Sequence, residues 1–93
     1  MEVIKNGKNM FYIGEDIKDP LAKIIFLPSG ENKIIIEHTY VSDSLKGQGI
    51  GQQLVEKVAE YARNENLRII PECTYARKVM TRGDEYRDVL CDE

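Results

Sequence analysis

The run Lys46-Gly47-Gln48-Gly49-Ile50-Gly51 places three alternating glycines just ahead of a helical pattern. Without Cβ atoms in the way, several backbone N–H groups can converge at a helix N-terminus, where the dipole also favours negative charge. The chemistry such a turn offers is the holding of a phosphate; a turn built only for tight packing or positive φ is the plainer alternative. Two side chains elsewhere could react. His38, the single histidine, can accept or give a proton near neutral pH, or can be a partly buried structural residue. Cys73 could be a thiolate nucleophile or line a pocket, although a buried free cysteine is more commonly a small inert hydrophobe. If their strands are neighbours, the two have the residue types of a Cys/His nucleophile, with His38 as the base that would lower the thiol.

These residues need elements to hold them. Asn9 to Gly14 is rich in β-formers and bounded by glycine, which suggests a first strand. Leu21 to Leu27 is stopped by Pro28-Ser29-Gly30, a turn cluster that should pair it with Lys33 to Val41 as an antiparallel hairpin. In that second run Ile34, Ile36, His38 and Tyr40 alternate with Ile35, Glu37, Thr39 and Val41. Its first half is apolar on both sides, so it reads as a central strand. Ser42-Asp43-Ser44 breaks it, and the glycine turn follows. From there to Asn66, Ile50, Leu54, Val58, Tyr61 and Ala62 form one apolar helical stripe. Leu67 to Cys73 reads as another strand, completing a β-α-β unit. Tyr75, Ala76, Val79 and Met80 fit a short helix closed by Gly83, and the spacing of Tyr75 with Val79 favours a core contact.

The 93 residues suffice for a single domain, 1–93, and are 42% apolar, which excludes a disordered chain. With 13 Lys+Arg against 16 Asp+Glu the net charge is -3, so no overall basic field draws nucleic acid or an anionic membrane. No aliphatic run approaches membrane-spanning length and no signal-like segment opens the sequence, so the expected location is the cytoplasm. Cys73 and Cys91 are then expected as free thiols, and one His with two Cys lacks zinc-type spacing, so no metal is expected.

Three identities compete for the glycine turn. A Walker loop fails because no Gly-Lys-Ser/Thr follows. A dinucleotide fingerprint needs a third glycine where Gln52 stands, although Glu72 lies near the spacing for a ribose-binding acid. The third is the better match: Lys46 to Gly51 resembles the pyrophosphate signature of the GNAT acyltransferases, Gln/Arg-x-x-Gly-x-Gly/Ala. Lys46 keeps the charge and loses the forked geometry of arginine. His38-Thr39-Tyr40-Val41, Pro71-Glu72-Cys73-Thr74-Tyr75 and Asp84-Glu85-Tyr86-Arg87 extend the resemblance, to a small GNAT-like family, over roughly the last two thirds of the chain.

That resemblance implies an α/β (α+β) GNAT-like fold with a mixed, mainly antiparallel sheet. It implies a site for acetyl-coenzyme A or coenzyme A, with pyrophosphate on the amides of Gln48, Gly49, Ile50, Gly51 and Gln52 after Lys46 and Gly47. The pantetheine arm would pass between the strand ending at Tyr40-Val41 and the strand ending near Cys73. Tyr75 becomes a proton donor to the departing thiolate, while Arg77, Lys78 and Lys46 could meet the adenosine phosphates; a solvated charged face is the plainer reading of these cations. Tyr86 and Arg87 are expected to pack. The function implied is acetyl transfer to an amine, with a non-catalytic acyl-coenzyme A module as the alternative class. The connection 15–20 is too short for the two helices that wall the acceptor site in larger GNAT enzymes. An open groove should result, suited to a bulky acceptor such as a protein Lys or N-terminal amine, or to a site completed by another subunit.

Overall fold

The computed structural model describes residues 4–16 and 18–91; residues 1–3, 17 and 92–93 lie outside it, and with them parts of the N-terminal stretch and of the connection 15–20. Five strands, β1 (Lys5–Gly7), β2 (Met10–Ile13), β3 (Ala22–Pro28), β4 (Lys33–Val41) and β5 (Arg68–Pro71), form one sheet in sequence order. The first four are antiparallel neighbours and β5 joins β4 in parallel. A 3₁₀ turn, Asp43–Leu45, and helix α1 (Ile50–Glu65) connect β4 to β5, and α2 (Thr74–Thr81) follows. The mixed, mainly antiparallel α+β architecture is the one expected.

α1 buries Ile50, Leu54, Val55, Val58, Ala59 and Ala62. Tyr61, expected in this stripe, lies at its edge, 37% exposed, with its ring centroid 6.2 Å from Phe11 and 5.5 Å from Phe26. The helix stops at Asn66, which takes a left-handed φ of 58° and returns its N–H to Ala62 and Arg63. Asparagine tolerates that conformation, so it ends the helix as glycine commonly does. α2 adds Ala76, Val79 and Met80 to the same core, beside Ile34, Ile36 and Ile69. Tyr86 packs there as expected, its hydroxyl buried without a partner among the described residues, while Arg87 is exposed beside Asp84. Both helices therefore cover one face of the sheet. Among the described residues nothing covers the other, where Tyr12, Ile25, Leu27, Ile35 and Ile70 are partly exposed.

Two local features depart from the expectation. β1 has no counterpart in the sequence reading, because three residues are too few to show alternation; it pairs with β2 through Lys8-Asn9, with Asn9 at φ 57°. More consequential is a bulge in β4. Ile36 faces Phe26 and His38 faces Ile25, which leaves Glu37 without a partner. An extra residue shifts the side-chain alternation by one and so exchanges the two faces beyond it. Ile34, Ile36, His38 and Tyr40 do not share a face, as simple alternation requires. The helix-covered face runs Ile34, Ile36, Thr39, Val41, while His38 and Tyr40 turn to the open face. His38 is exposed there, which removes the reading of it as a buried structural residue.

Candidate active site

A pocket of about 560 Å³ opens between the end of β4 and the start of α1. Tyr40, Val41, Lys46, Gly47, Gly49, Ile50, Gly51 and Tyr75 line it, together with Thr39, Ser42, Asp43 and Leu45. The 3₁₀ turn forms its rim, held by the buried side chain of Leu45. Gln48, Gln52 and Arg77 do not line it. The Gln48 side-chain nitrogen Nε2 donates to the Ser44 carbonyl, the Gln52 side chain accepts from Arg82, and Arg77 donates to the Pro71 carbonyl at 3.3 Å.

Gly47 and Gly49 take left-handed φ values of 82° and 73°. A side chain there costs about 1–2 kcal/mol in backbone strain, which explains the two alternating glycines. Neither has an atom within 4 Å of where a Cβ would stand, so the turn borders open space. Gly49 caps α1 without a side-chain hydrogen bond, and the Gln53 N–H is the first to reach it. The amides of Ile50, Gly51 and Gln52 therefore lack intrahelical acceptors. Such a set of N–H groups, at the positive end of a helix and beside left-handed residues, suits an anion. At the rim the Lys46 ammonium lies 3.0 Å from the Asp43 carboxylate, both largely exposed. That carboxylate tempers the charge Lys46 could offer, so the backbone is the principal cradle.

The third glycine has another reason. A Cβ on Gly51 would lie 2.6 Å from the Tyr75 hydroxyl and 2.8 Å from Cζ. The ring lies across the first turn of α1 and only glycine leaves it room. Tyr75 is 41% exposed and lines the pocket, so the core contact inferred from its spacing does not hold.

Cys73 caps α2, with its thiol 3.6 Å from the Thr39 hydroxyl. Burial, the largest single influence, pushes this thiol up; the nearby amides of Ala76 and Tyr75 and the Thr39 hydroxyl, all of which favour the thiolate, together outweigh it and hold the thiol below its ordinary value. The partner is Thr39 and the lowering comes from α2 and Thr39, where the sequence pointed to His38. The bulge explains the exchange, because it turns Thr39 toward Cys73 and His38 away. Thr39, Asp43 and Leu45 are site residues that spacing alone did not single out. Among the described residues no cluster of His, Cys, Asp and Glu could hold a metal, and both cysteines are free.

The sequence and the fold match known proteins. The model of the GCN5-related N-acetyltransferase family matches residues 10–89. A GCN5-like protein of Staphylococcus aureus, solved by NMR, is 45% identical over 96% of this chain and 87% of its own, with a TM-score of 0.83. A GNAT family acetyltransferase of Elizabethkingia anophelis, solved with acetyl-CoA bound, shares the fold at 16% identity and TM-score 0.58, over 76% of this chain and 48% of its own. A GNAT family protein of Desulfovibrio desulfuricans does so at 18% identity and TM-score 0.63, over 78% and 52%. This chain thus spans about half the length of the latter two. No curated protein matches it. With the family model covering most of the chain and so similar a structure aligned almost end to end, the chain belongs to the GCN5-related N-acetyltransferases and is an acyltransferase enzyme.

Proposed function

We propose that this chain, acting as one cytoplasmic coenzyme A-binding domain, transfers an acetyl group from acetyl-coenzyme A to the amine of a bulky acceptor. The observation that carries the reading is the pocket, where unpaired amides of α1 meet left-handed glycines over open space. These features fit a pyrophosphate, held by the amides of Ile50, Gly51 and Gln52 with Lys46 at the rim. Acetyl-coenzyme A, when bound, supplies an activated acyl carbonyl and a thiolate leaving group. The rest is assigned to side chains. His38 takes a proton from the acceptor ammonium, so that the nitrogen can bond to the acyl carbon as the carbon–sulfur bond breaks. Tyr75 gives its hydroxyl proton to the departing thiolate and regains one from the nitrogen, which sheds its second proton as it becomes an amide. Thr39 and Cys73 line the slot between β4 and β5.

His38 stands on the open face and Cys73 is engaged with Thr39, an arrangement that favours direct transfer over an acyl-Cys enzyme. The connection 15–20 carries a turn, with the Lys18 N–H on the Asp16 carboxylate and the Asp19 N–H on the Asp16 carbonyl, and no helix among its described residues. That leaves the acceptor side open, which suits a polypeptide amine.

The test is release of coenzyme A thiol from acetyl-coenzyme A in the presence of a panel of small amines, lysine peptides and peptides with free α-amines. Release that depends on a peptide amine, with the acetylated peptide found by mass, is the expected result. Tight coenzyme A binding with no acetylated product from any amine would overturn it and leave a binding module.

A further inference from the structure

The uncovered face of the sheet is built unlike a solvated one. A sheet with one face in water alternates apolar inward with polar outward. Here Met10, Tyr12, Ile25, Leu27, Ile35 and Ile70 hold the outward positions of four adjacent strands. Contiguous apolar surface of this kind marks a place where something docks.

The charges say what docks. Lys5, Tyr12, Lys23 and Tyr40 form one row straight across β1 to β4. No ion pair among the described residues engages Lys5 or Lys23. In a chain of net charge -3, no carboxylate holds a paired position on this face. Two glutamates flank the place where β4 and β5 part. The amides of Glu72 and Cys73 both reach the Ile36 carbonyl, at 3.1 and 3.0 Å, which sets Glu72 level with the bulged Glu37, and both glutamates are exposed. His38 stands beside them on the open face.

We infer that this face docks the acceptor, and that the acceptor is a polypeptide whose amine is followed by apolar and acidic residues; the inference rests on the acetyl-transfer reading above. Glu37 and Glu72 receive the ammonium, His38 is next to it, and the cations beyond receive carboxylates. Lys23 lies two residues along β3 from the Ile25 that faces His38, and Lys5 lies two strands further out. At roughly 3.3 Å per residue of extended chain and about 4.8 Å per strand, the acids belong two to five positions from the amine. A second copy is disfavoured, because it would bring like cations together. A nucleic acid strand would meet the two glutamates at the gap.

The probes are two peptides of equal length with free α-amines, one carrying Leu, Asp and Glu at positions 2–5 and the other Leu, Lys and Arg. The full chain and its Lys5→Glu/Lys23→Glu variant are compared at low ionic strength, and Lys23→Glu alone serves if the double variant does not fold. The expected result is a kcat/KM at least tenfold higher for the acidic peptide with the native chain and the reverse order in the variant, both differences shrinking at high salt. Binding is followed separately, through the amide NMR shifts of Lys23, Ile25 and Ile35 during titration with the acidic peptide. Shifts without acetylation would support the docking face while overturning the transfer reading. Equal use of the two peptides, preference for the basic one, acetylation with no open-face shift, or a stable dimer burying these amides would each overturn the inference.

Discussion

Gly49→Glu is expected to abolish the thermal stabilisation that coenzyme A gives the native chain. A ligand that binds only the folded state at about 100 times its Kd adds about 2.7 kcal/mol. For a domain of this size that raises Tm by on the order of 10 to 20 °C. The site of Gly49 caps α1 at φ 73° with open space where its Cβ would stand, so a glutamate side chain there would enter the pocket and set a carboxylate where the amides await an anion. The backbone strain of leaving glycine is separated by Gly49→Ala, which carries the same left-handed penalty and no charge. Both variants should unfold at lower temperature than the native chain when free. Only the alanine variant should regain most of the shift on adding coenzyme A. A full shift in Gly49→Glu would move the anion site away from this turn.

His38→Ala should lower turnover by about a hundredfold near neutral pH, the scale on which a positioned general base acts. Coenzyme A affinity should be unchanged, since His38 is on the open face and outside the pocket lining. The loss should also narrow as pH rises past about 8, where a peptide α-amine is already deprotonated and needs no base. A deficit constant across pH would deny His38 the proton-transfer role. Cys73→Ala is the companion. Its thiol hydrogen-bonds to Thr39 and is held below its ordinary value by the α2 amides and Thr39. Direct transfer predicts turnover within a few-fold of native; loss of turnover with intact coenzyme A binding, together with an acetyl adduct on Cys73 of the native chain, would overturn it.

The reason the site was half legible lies in β4. Glycine spacing, the helical stripe and the β-α-β order are short-range signals, and they located Gly47, Gly49 and Gly51, α1 and the parallel pair β4–β5. The faces of Ile34 and Ile36 also followed from alternation, since each has a regular partner across the sheet. The bulge at Glu37 has no such signature: it arises from pairing with β3, a long-range contact, and it decides that Thr39 and not His38 meets Cys73. The core reading of Tyr75 failed for a related reason, while its place at the pocket did not. Its helical spacing with Val79 is real, yet its ring lies on the first turn of α1 because Gly51 leaves the space, a fact about two elements at once. The open face was visible only indirectly, in the shortness of the connection 15–20, because knowing that both helices pack on one side needs the sheet order.

The most direct test of the coenzyme A site is a titration of the labelled native chain with coenzyme A, read as amide shifts residue by residue. The largest changes are expected at Gly47, Gly49, Ile50, Gly51 and Gln52, with smaller ones at Thr39 to Val41 and at Tyr75. Changes concentrated instead in the second groove, of about 490 Å³ between Arg63, Arg68 and Asp88 at the other end of α1, with the glycine turn unmoved, would contradict it.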